Sequence, residues 1–327
     1  MKILVTGATG FLGHHLVKRL IREGYKVRIF KKESDSMELL EGSKVEVKSG
    51  DIRDFNAVKE AVKGCEVVFH LVGLISYWKA LNQIQYDINV KGTHNVVRAC
   101  LENKVKRLIY VSSTAAVGTE ENRKLANEET FYNLFPLRIN YCDTKFLAEV
   151  EIYKGIARGL NAVIVCPGSM YGQGDRRKIK TDMTFDFKFP MNLFYIKGGI
   201  GVVDVRDVVE GLIQAWKKGK NGERYLLVGE NLTFYQIRKE IAKALNKRPP
   251  FICLPHWILV ILSYLFLGIS QITGKKPKLT PEMVRFNKIK FYFSNEKAKR
   301  ELGLRFRPFS ESIKDAVRWY KEHGFLK

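Results

Sequence analysis

The chain has 327 residues, 46% of them hydrophobic and 28% charged, which describes a globular protein with one large core or two unequal lobes and excludes a disordered one. A formal net charge of +22 raises nucleic acid or an anionic membrane as partners, yet the basic residues are dispersed among acids, so a solvated lysine-rich surface is read and no nucleic acid is expected. Cys65, Cys100, Cys142, Cys166 and Cys253 lack C-x-x-C spacing and mostly lie in apolar stretches, which reads as reduced core cysteines of a cytosolic protein, with no metal site and no disulfide framework.

Met1-Lys-Ile-Leu-Val-Thr6 is a short apolar run rich in β-branched residues and reads as a strand. Met1 already belongs to it, so no leader is expected, and the expected location is cytoplasmic or membrane-peripheral. Gly7-Ala-Thr9-Gly10-Phe11-Leu12-Gly13 follows at once, then a helical pattern in which Leu12, Leu16, Val17, Leu20 and Ile21 recur at three- and four-residue spacing. A strand that turns into a helix through glycines brings bare backbone N–H groups and the positive end of a helix dipole to one spot, where a pyrophosphate can sit. Gly7 permits the turn, Gly10 admits phosphates to the backbone, and Gly13 lets helix and strand pack closely. Thr9, Phe11 and Leu12 complete the expected dinucleotide contacts of this loop. The spacing departs from G-x-G-x-x-G, and an ordinary glycine-rich turn is the competing reading. Its place between a strand and a helix argues for the nucleotide.

Tyr25-Lys-Val-Arg-Ile-Phe30 reads as a second strand, after a helix ending near Glu23 and Gly24. The residue just past such a strand meets the adenosine ribose, where an acid suits a 2′-hydroxyl and a base suits a 2′-phosphate. Lys31 and Lys32 stand there and favour NADP, with NAD as the alternative; two solvated lysines at a strand end would look the same. A third strand over 44–48 leads to Gly50-Asp51-Ile52-Arg53-Asp54. Asp51 is placed to accept from the adenine amino group with Ile52 against the ring, unless Asp51 merely serves the turn while Asp54 caps the next helix. Glu66-Val-Val-Phe-His70 is a fourth strand opening into Leu71-Val72-Gly73. A helix from about Gln83 to Glu102 carries Asn89, and Arg107-Leu-Ile-Tyr-Val111 is the fifth strand. Strands alternating with helices at this pace mean an α/β chain with a parallel sheet, helices on both faces, and ligands at the carboxyl ends of the strands.

Ser112-Ser113-Thr114 stands at the carboxyl end of the fifth strand. Tyr141-Cys-Asp-Thr-Lys145 then opens a helix, and residues four apart share a helix face. The Tyr-x-x-x-Lys spacing occurs twice. Tyr235 to Lys239 has no serine-bearing strand before it and reads as a surface helix, whereas Tyr141 follows such a strand by one loop. Gly7-x-x-Gly10-x-x-Gly13, Gly50-Asp51-Ile52-Arg53-Asp54, Asn89-Val-Lys-Gly-Thr93, Val111-Ser-Ser113, Tyr141-x-x-x-Lys145 and Cys166-Pro-Gly-Ser-Met-Tyr-Gly-Gln-Gly-Asp175 follow one another, and Asn295-Glu-Lys-Ala-Lys-Arg-Glu-Leu-Gly303 and Trp319-Tyr320 come last. In this order they resemble an extended short-chain dehydrogenase/reductase of the NAD-dependent epimerase/dehydratase superfamily, nearest its dihydroflavonol-reductase-like and 3β-hydroxysteroid-dehydrogenase-like branch. The resemblance covers essentially the whole chain.

It implies a Rossmann-like doubly wound parallel sheet in residues 1–170, rejoined by 201–228, and a smaller, mainly helical substrate lobe from 171–200 and 229–327. Tyr141 would be the general acid/base, trading a proton with a substrate carbonyl or hydroxyl while hydride moves to or from the nicotinamide. A phenol with an ordinary pKa near 10 needs about 4 kcal/mol of help to do so near neutrality, and the charge of Lys145 one helical turn away would supply it. Lys145 would also hold the nicotinamide ribose, Ser113 would fix the substrate oxygen, and Pro167 would border the nicotinamide ring. Leu71, Val72, Gly73 and Asn89 would join the cofactor contacts.

Sugar-nucleotide 4,6-dehydratases of the superfamily carry an Asp-Glu pair just after the serine, where this chain has Ala115 and Ala116; alanine cannot titrate, so water elimination is disfavoured. A sugar-nucleotide epimerase with retained NAD survives this test, although Lys31 argues against it. A non-catalytic dinucleotide sensor would be expected to have lost the tyrosine or the lysine, and both are present. The expected activity is therefore interconversion of a secondary alcohol and a ketone.

Residues 172–199 are read either as a loop over its own aromatics, Phe185, Phe187, Phe189 and Phe194, or as a substrate-facing lid. Gly201-Val-Val-Asp204 and Arg224-Tyr-Leu-Leu-Val228 return the chain to the core, Thr233 starts a helix, and Ser310 is the expected N-cap of the last one. Phe251 to Thr273 contains no Lys, Arg, Asp or Glu. It is read first as a buried or pocket-lining helix, second as a helix lying on a membrane, and third as a span. The expected partner is a small, hydrophobic substrate; a peripheral membrane contact through 251–273 and a second copy in a homodimer are the further candidates.

Overall fold

The computed structural model describes residues 1–120, 124–176 and 185–326. In chain order the strands are β1 (Lys2–Thr6), β2 (Lys26–Lys31), β3 (Glu46–Ser49), β4 (Val67–His70), β5 (Arg107–Val111), β6 (Ala162–Pro167), β7 (Ser169–Tyr171), β8 (Phe194–Ile196), β9 (Gly199–Asp204) and β10 (Arg224–Leu227). Seven of them form one sheet in the order β10-β6-β5-β4-β1-β2-β3, every neighbouring pair parallel. The chain winds outward through β2 and β3, then crosses back over β1 to β4. The carboxyl ends of β1 and β4 therefore flank the switch point, the crevice where such sheets take ligands.

Alternate residues of the central strands feed two cores, because successive side chains on a strand point to opposite faces. Leu4, Val68, Leu108, Tyr110 and Ile164 pack under the helices Phe55–Val62, Gly92–Glu102 and Asn140–Ala157. Ile3, Val5, Phe69, Ile109 and Val163 pack under Phe11–Arg22, Val205–Lys218 and Glu296–Leu302. The last of these helices lies against the large sheet through Ala298 and Leu302. Asp54 caps the helix Phe55–Val62 by accepting from the Asn56 and Ala57 amides.

The helix expected over 83–102 is not uniform. Asn82–Tyr86 and Gly92–Glu102 are α-helical, and Asp87–Lys91 between them is a wider π turn. Such turns are often found at functional positions, and this one carries Asn89.

The remaining strands are β11 (Glu230–Thr233), β12 (Ile252–Leu254) and β13 (Lys290–Phe291). β9 pairs with β7, β11 and β13, and β12 pairs with β8, so two small sheets accompany the helices expected in this lobe. Phe185 and Phe187 are buried beside Tyr171, Ile237, Ile313 and Tyr320. The basic run after Asp175 continues outside the described residues. Thr233 does start a helix, forming a capping box with Gln236. Ser310 is not the cap of the last helix: that helix begins at Phe309 behind Pro308, because Phe309 is buried and its amide donates to Glu230 Oε1 at 2.6 Å.

His256–Thr273 forms one helix of 18 residues, long and apolar enough to cross a membrane, yet only 17% of it is buried. The reading of this stretch as a buried helix is therefore corrected. Only Leu259, Ser263 and Ser270 are buried, because one narrow face covers the satellite cluster of Leu279 and Val284.

Two buried histidines beside the large parallel sheet make acid stability predictable. His70 is fully buried, hydrogen-bonded to Thr6 Oγ1 at 2.8 Å and Thr93 Oγ1 at 3.1 Å, and burial holds its pKa down to about 3. His14 is lowered to about 3 by burial and then by the adjacent His15. The unfolded chain binds these protons near pH 6.5 and the folded chain does not. Stability present above pH 6.5 is thus lost on acidification towards pH 3, at roughly 1.4 kcal/mol per pH unit for each histidine. Urea unfolding at pH 7 and pH 5 should show the loss, and His70→Gln should reduce it by about half, leaving the share of His14; equal midpoints for the wild type would refute the assignment.

Candidate active site

The glycine turn after β1 is built for close approach. Gly7 has a φ of +70°, and a Cβ there would lie 3.1 Å from the Leu71 carbonyl carbon and the Val72 nitrogen. At Gly13 a Cβ would lie 2.1 Å from the Gly7 carbonyl oxygen, so helix and strand touch where only glycine fits. Gly10 is the N-cap of Phe11–Arg22 and no side chain caps that helix. Thr9, Phe11 and Leu12 lie in this turn, leaving the first-turn amides and the helix dipole to face outward at the switch point. This Cβ-free, uncapped turn fits the pyrophosphate of a dinucleotide.

From here a groove runs across the strand ends. A Cβ on Gly73 would lie 3.7 Å from Asn89 Oδ1 and 3.9 Å from Lys145 Nζ, so Leu71, Val72 and Gly73 connect the glycine turn to the lysine. Asn89 is buried and fully engaged: Oδ1 accepts from the Leu74 amide at 2.7 Å, and Nδ2 donates to Leu74 O and Thr144 Oγ1, both at 3.1 Å. Thr144 donates in turn to Tyr141 O at 3.1 Å. Asn89 thus ties the loop after β4 to the helix that carries the tyrosine.

Tyr141 and Lys145 lie one turn apart on Asn140–Ala157, both buried. Lys145 Nζ donates to Tyr110 Oη at 2.7 Å and to Val111 O at 2.9 Å, which anchors it at the carboxyl end of β5. Burial lowers its pKa to about 8, with the charge of Glu149 opposing the drop. Ser113 follows β5 and its Oγ accepts from the Ala115 amide at 3.1 Å. Ser112 points the other way, donating to Glu149, so of the two serines only Ser113 stands partly exposed. Pro167 ends β6 on the neighbouring strand. Ala115 and Ala116 are buried in the turn after Ser113.

At the far end of the groove, Lys31 Nζ donates to the carbonyls of Lys32, Glu33 and Asp35 at 2.8, 3.1 and 3.1 Å. Lys32 lies 3.4 Å from Asp51, which Arg53 holds at 2.7 Å. The hydrogen bonds from Arg53 and the nearby Lys32 charge keep the Asp51 carboxyl well below the usual carboxylate range. Ile52 is buried under Gly92, with its side chain in the core.

Four further residues escaped sequence reasoning. Asp35 accepts from Thr9 Oγ1 at 3.4 Å and from the Lys32 amide at 3.2 Å, four residues past β2, where loop shape rather than spacing brings it back. Tyr110 meets Lys145 from β5. Glu149 is fully buried with Arg224 and Cys166, each 3.4 Å away, and burial raises its pKa. Tyr77 lies edge-on to Tyr141, ring centres 5.8 Å apart, and 5.4 Å from Phe286 on the helix Pro281–Lys288. Lys145 and Glu149 at four-residue spacing offered a signal for the glutamate; the aromatic contacts offered none.

The titration of Lys145 yields a test. Its ammonium is complete below pH 8 and lost above it, so dinucleotide affinity should weaken about tenfold as pH rises through 8, on the strength of one charge-assisted hydrogen bond. Lys145→Arg carries a guanidinium that does not titrate there and should bind without that inflection. Fluorescence titration of NADPH at several pH values reads both, and parallel curves would show that Lys145 is not the titrating group.

A dinucleotide groove at the switch point of a doubly wound sheet, ending on a tyrosine and a lysine one helical turn apart, defines a short-chain dehydrogenase/reductase. The added small sheets and C-terminal helices make it one of the extended type, an NAD(P)-dependent enzyme. The chain belongs to the 3-beta hydroxysteroid dehydrogenase/isomerase family, which it matches over residues 4–187. It is 30% identical to sterol demethylase protein B of Methylococcus capsulatus, over 100% of both chains. It is 32% identical to 3beta-hydroxysteroid-dehydrogenase/decarboxylase isoform 2 of Arabidopsis thaliana over 96% of its own length and 61% of that longer protein. The crystal structure of gox2253 superposes with a TM-score of 0.85 at 30% identity, over 99% of each chain.

Proposed function

We propose that this enzyme interconverts a hydrophobic secondary alcohol and its ketone, with NADP preferred over NAD and Tyr141 as the acid/base. The observation that carries the reading is the setting of Tyr141: Lys145 is one turn away on the same helix, and Tyr77, itself packed on Phe286, lies edge-on to the Tyr141 ring, so aromatic side chains wall this part of the site. Such a wall suits an apolar substrate better than a sugar nucleotide, whose hydroxyls and phosphates need polar partners. The sterol and hydroxysteroid names of two relatives support the same class. When bound, the nicotinamide supplies the hydride or accepts it.

The residues of the chain do the rest. Gly7, Thr9, Gly10, Phe11, Leu12 and Gly13 would hold the pyrophosphate. Lys145 would hold the nicotinamide ribose, with Leu71, Val72, Gly73, Asn89 and Pro167 shaping the groove around it. Ser113 Oγ would hold the substrate oxygen, and Tyr141 Oη would give that oxygen a proton on reduction or take one on oxidation. The Lys145 charge favours the phenolate form of Tyr141 and so the oxidative direction of that transfer. At the adenosine end, Lys32 and Arg53, already gathered around Asp51, would receive the 2′-phosphate that distinguishes NADP.

The test is a panel of steroid and other apolar ketones with NADPH or NADH, followed by loss of reduced-nicotinamide absorbance. Stoichiometric consumption, faster with NADPH, supports the reading. No consumption with apolar ketones, together with epimerised sugar nucleotide and a cofactor that never leaves the protein, refutes it in favour of the epimerase.

A further inference from the structure

The helix His256–Thr273 is turned inside out. On a helix covering a water-soluble domain, the apolar stripe faces the core and the polar residues face solvent. Here Ser263 and Ser270 are buried against the domain, satisfied by Val260 O at 2.7 Å and Lys275 O at 2.6 Å. Trp257, Ile261, Tyr264, Leu265 and Ile272 share the outward face at three-, four- and seven-residue spacings, and Ile272 is 89% exposed. Phe251, five residues before the helix, is 72% exposed. An apolar face this long, about 24 Å from Trp257 to Ile272 at 1.5 Å per residue, is far more than scattered surface residues explain.

The charge around it selects the occupant. From Ile241 to Pro281 the chain has no aspartate or glutamate, but it has Lys243, Lys247, Arg248, Lys275, Lys276 and Lys278. An apolar stripe with tryptophan and tyrosine, in a segment rich in cations and free of acids, matches the boundary between the headgroups and acyl chains of an anionic bilayer. A second copy of the chain would bring the same cations against each other. The helix cannot stand across the bilayer without leaving the domain, because Leu259, Val260 and Phe266 pack on Leu279, Met283 and Val284, while β12 just before it pairs with β8.

We propose that this face docks the enzyme on anionic membranes, with the helix lying in the plane of the headgroups. Lysines fix the approach and the stripe from Trp257 to Ile272 enters the apolar layer. The docked side also adjoins the aromatic wall of the site: Met283 and Val284 lie under the helix, and Phe286 on the same short helix reaches Tyr77 and through it Tyr141. A substrate dissolved in the bilayer would thus meet the enzyme next to Tyr141. That consequence rests on the function proposed above; the docking does not.

The experiment is co-sedimentation of the full chain with vesicles of phosphatidylcholine alone or mixed with phosphatidylglycerol. Binding to the mixed vesicles, release by high salt, and a blue shift of tryptophan emission absent from Trp257→Phe are expected. The double variants Ile261→Glu/Leu265→Glu and Lys275→Glu/Lys278→Glu should each bind at least tenfold more weakly while keeping wild-type dinucleotide affinity, which shows that they fold. Docking is overturned if the wild type ignores the mixed vesicles or if both double variants bind like it. It is overturned equally if salt and carbonate fail to release the chain, as for a span, or if light scattering finds a dimer that Ile261→Glu/Leu265→Glu dissociates. None of these readouts depends on turnover, so failure of the docking and failure of the catalytic reading are distinguishable.

Discussion

Tyr141→Phe is expected to lower turnover about 10²- to 10⁴-fold, the range that a positioned acid/base contributes, while NADPH affinity stays within about twofold. The substitution removes one oxygen and leaves the ring, so the edge-on contact with Tyr77 and the burial of residue 141 survive. Asn89 and Thr144 meet this residue through its backbone carbonyl, and Lys145 is anchored on Tyr110 and Val111, so the groove should keep its shape. Loss of turnover with unchanged binding would place the defect in proton transfer. Steady-state rates with NADPH and an apolar ketone, beside a dinucleotide titration, make the measurement. A fully active variant would remove Tyr141 from the mechanism.

Gly13→Ala should produce the largest combined loss of stability and binding among single methyl additions. The new Cβ would stand 2.1 Å from Gly7 O and 2.6 Å from the Ala8 Cα, both backbone atoms that no side-chain rotation can move aside. The first helix must then lift from β1, opening the core of Leu16, Val17 and Leu20 and displacing the amides at its start. A cost of about 3 kcal/mol, the upper part of the usual overpacking range, is expected, together with dinucleotide binding weakened beyond detection. Gly268→Ala is the control. It sits inside a helix with open space where its Cβ would go, so it should stabilise by up to about 1 kcal/mol through helix propensity alone. Thermal unfolding of both variants with and without NADPH separates the two effects; unchanged binding by Gly13→Ala would show that the turn does not hold the phosphates.

What the sequence determined by itself is everything carried by short-range pattern. β-Branched runs buried on both faces announced the central strands, and a glycine turn between a strand and a helix announced the cradle. A spacing of four put Tyr141 and Lys145 on one face. Each depends on backbone geometry repeating over a few residues, which composition and spacing encode directly. Tertiary structure decided what depends on distant segments meeting. The π turn at Asp87–Lys91 follows from Asn89 being held by Leu74 and Thr144, 15 and 55 residues away. The start of the last helix follows from Phe309 docking on Glu230. The aromatic wall joins residues 77, 141 and 286. The apolar stretch 251–273 makes the contrast plainest, since periodicity shows that a helix is apolar but cannot show which neighbours arrive to cover it. Only the fold, by packing one narrow face and leaving the rest in the open, turned an expected core helix into a surface.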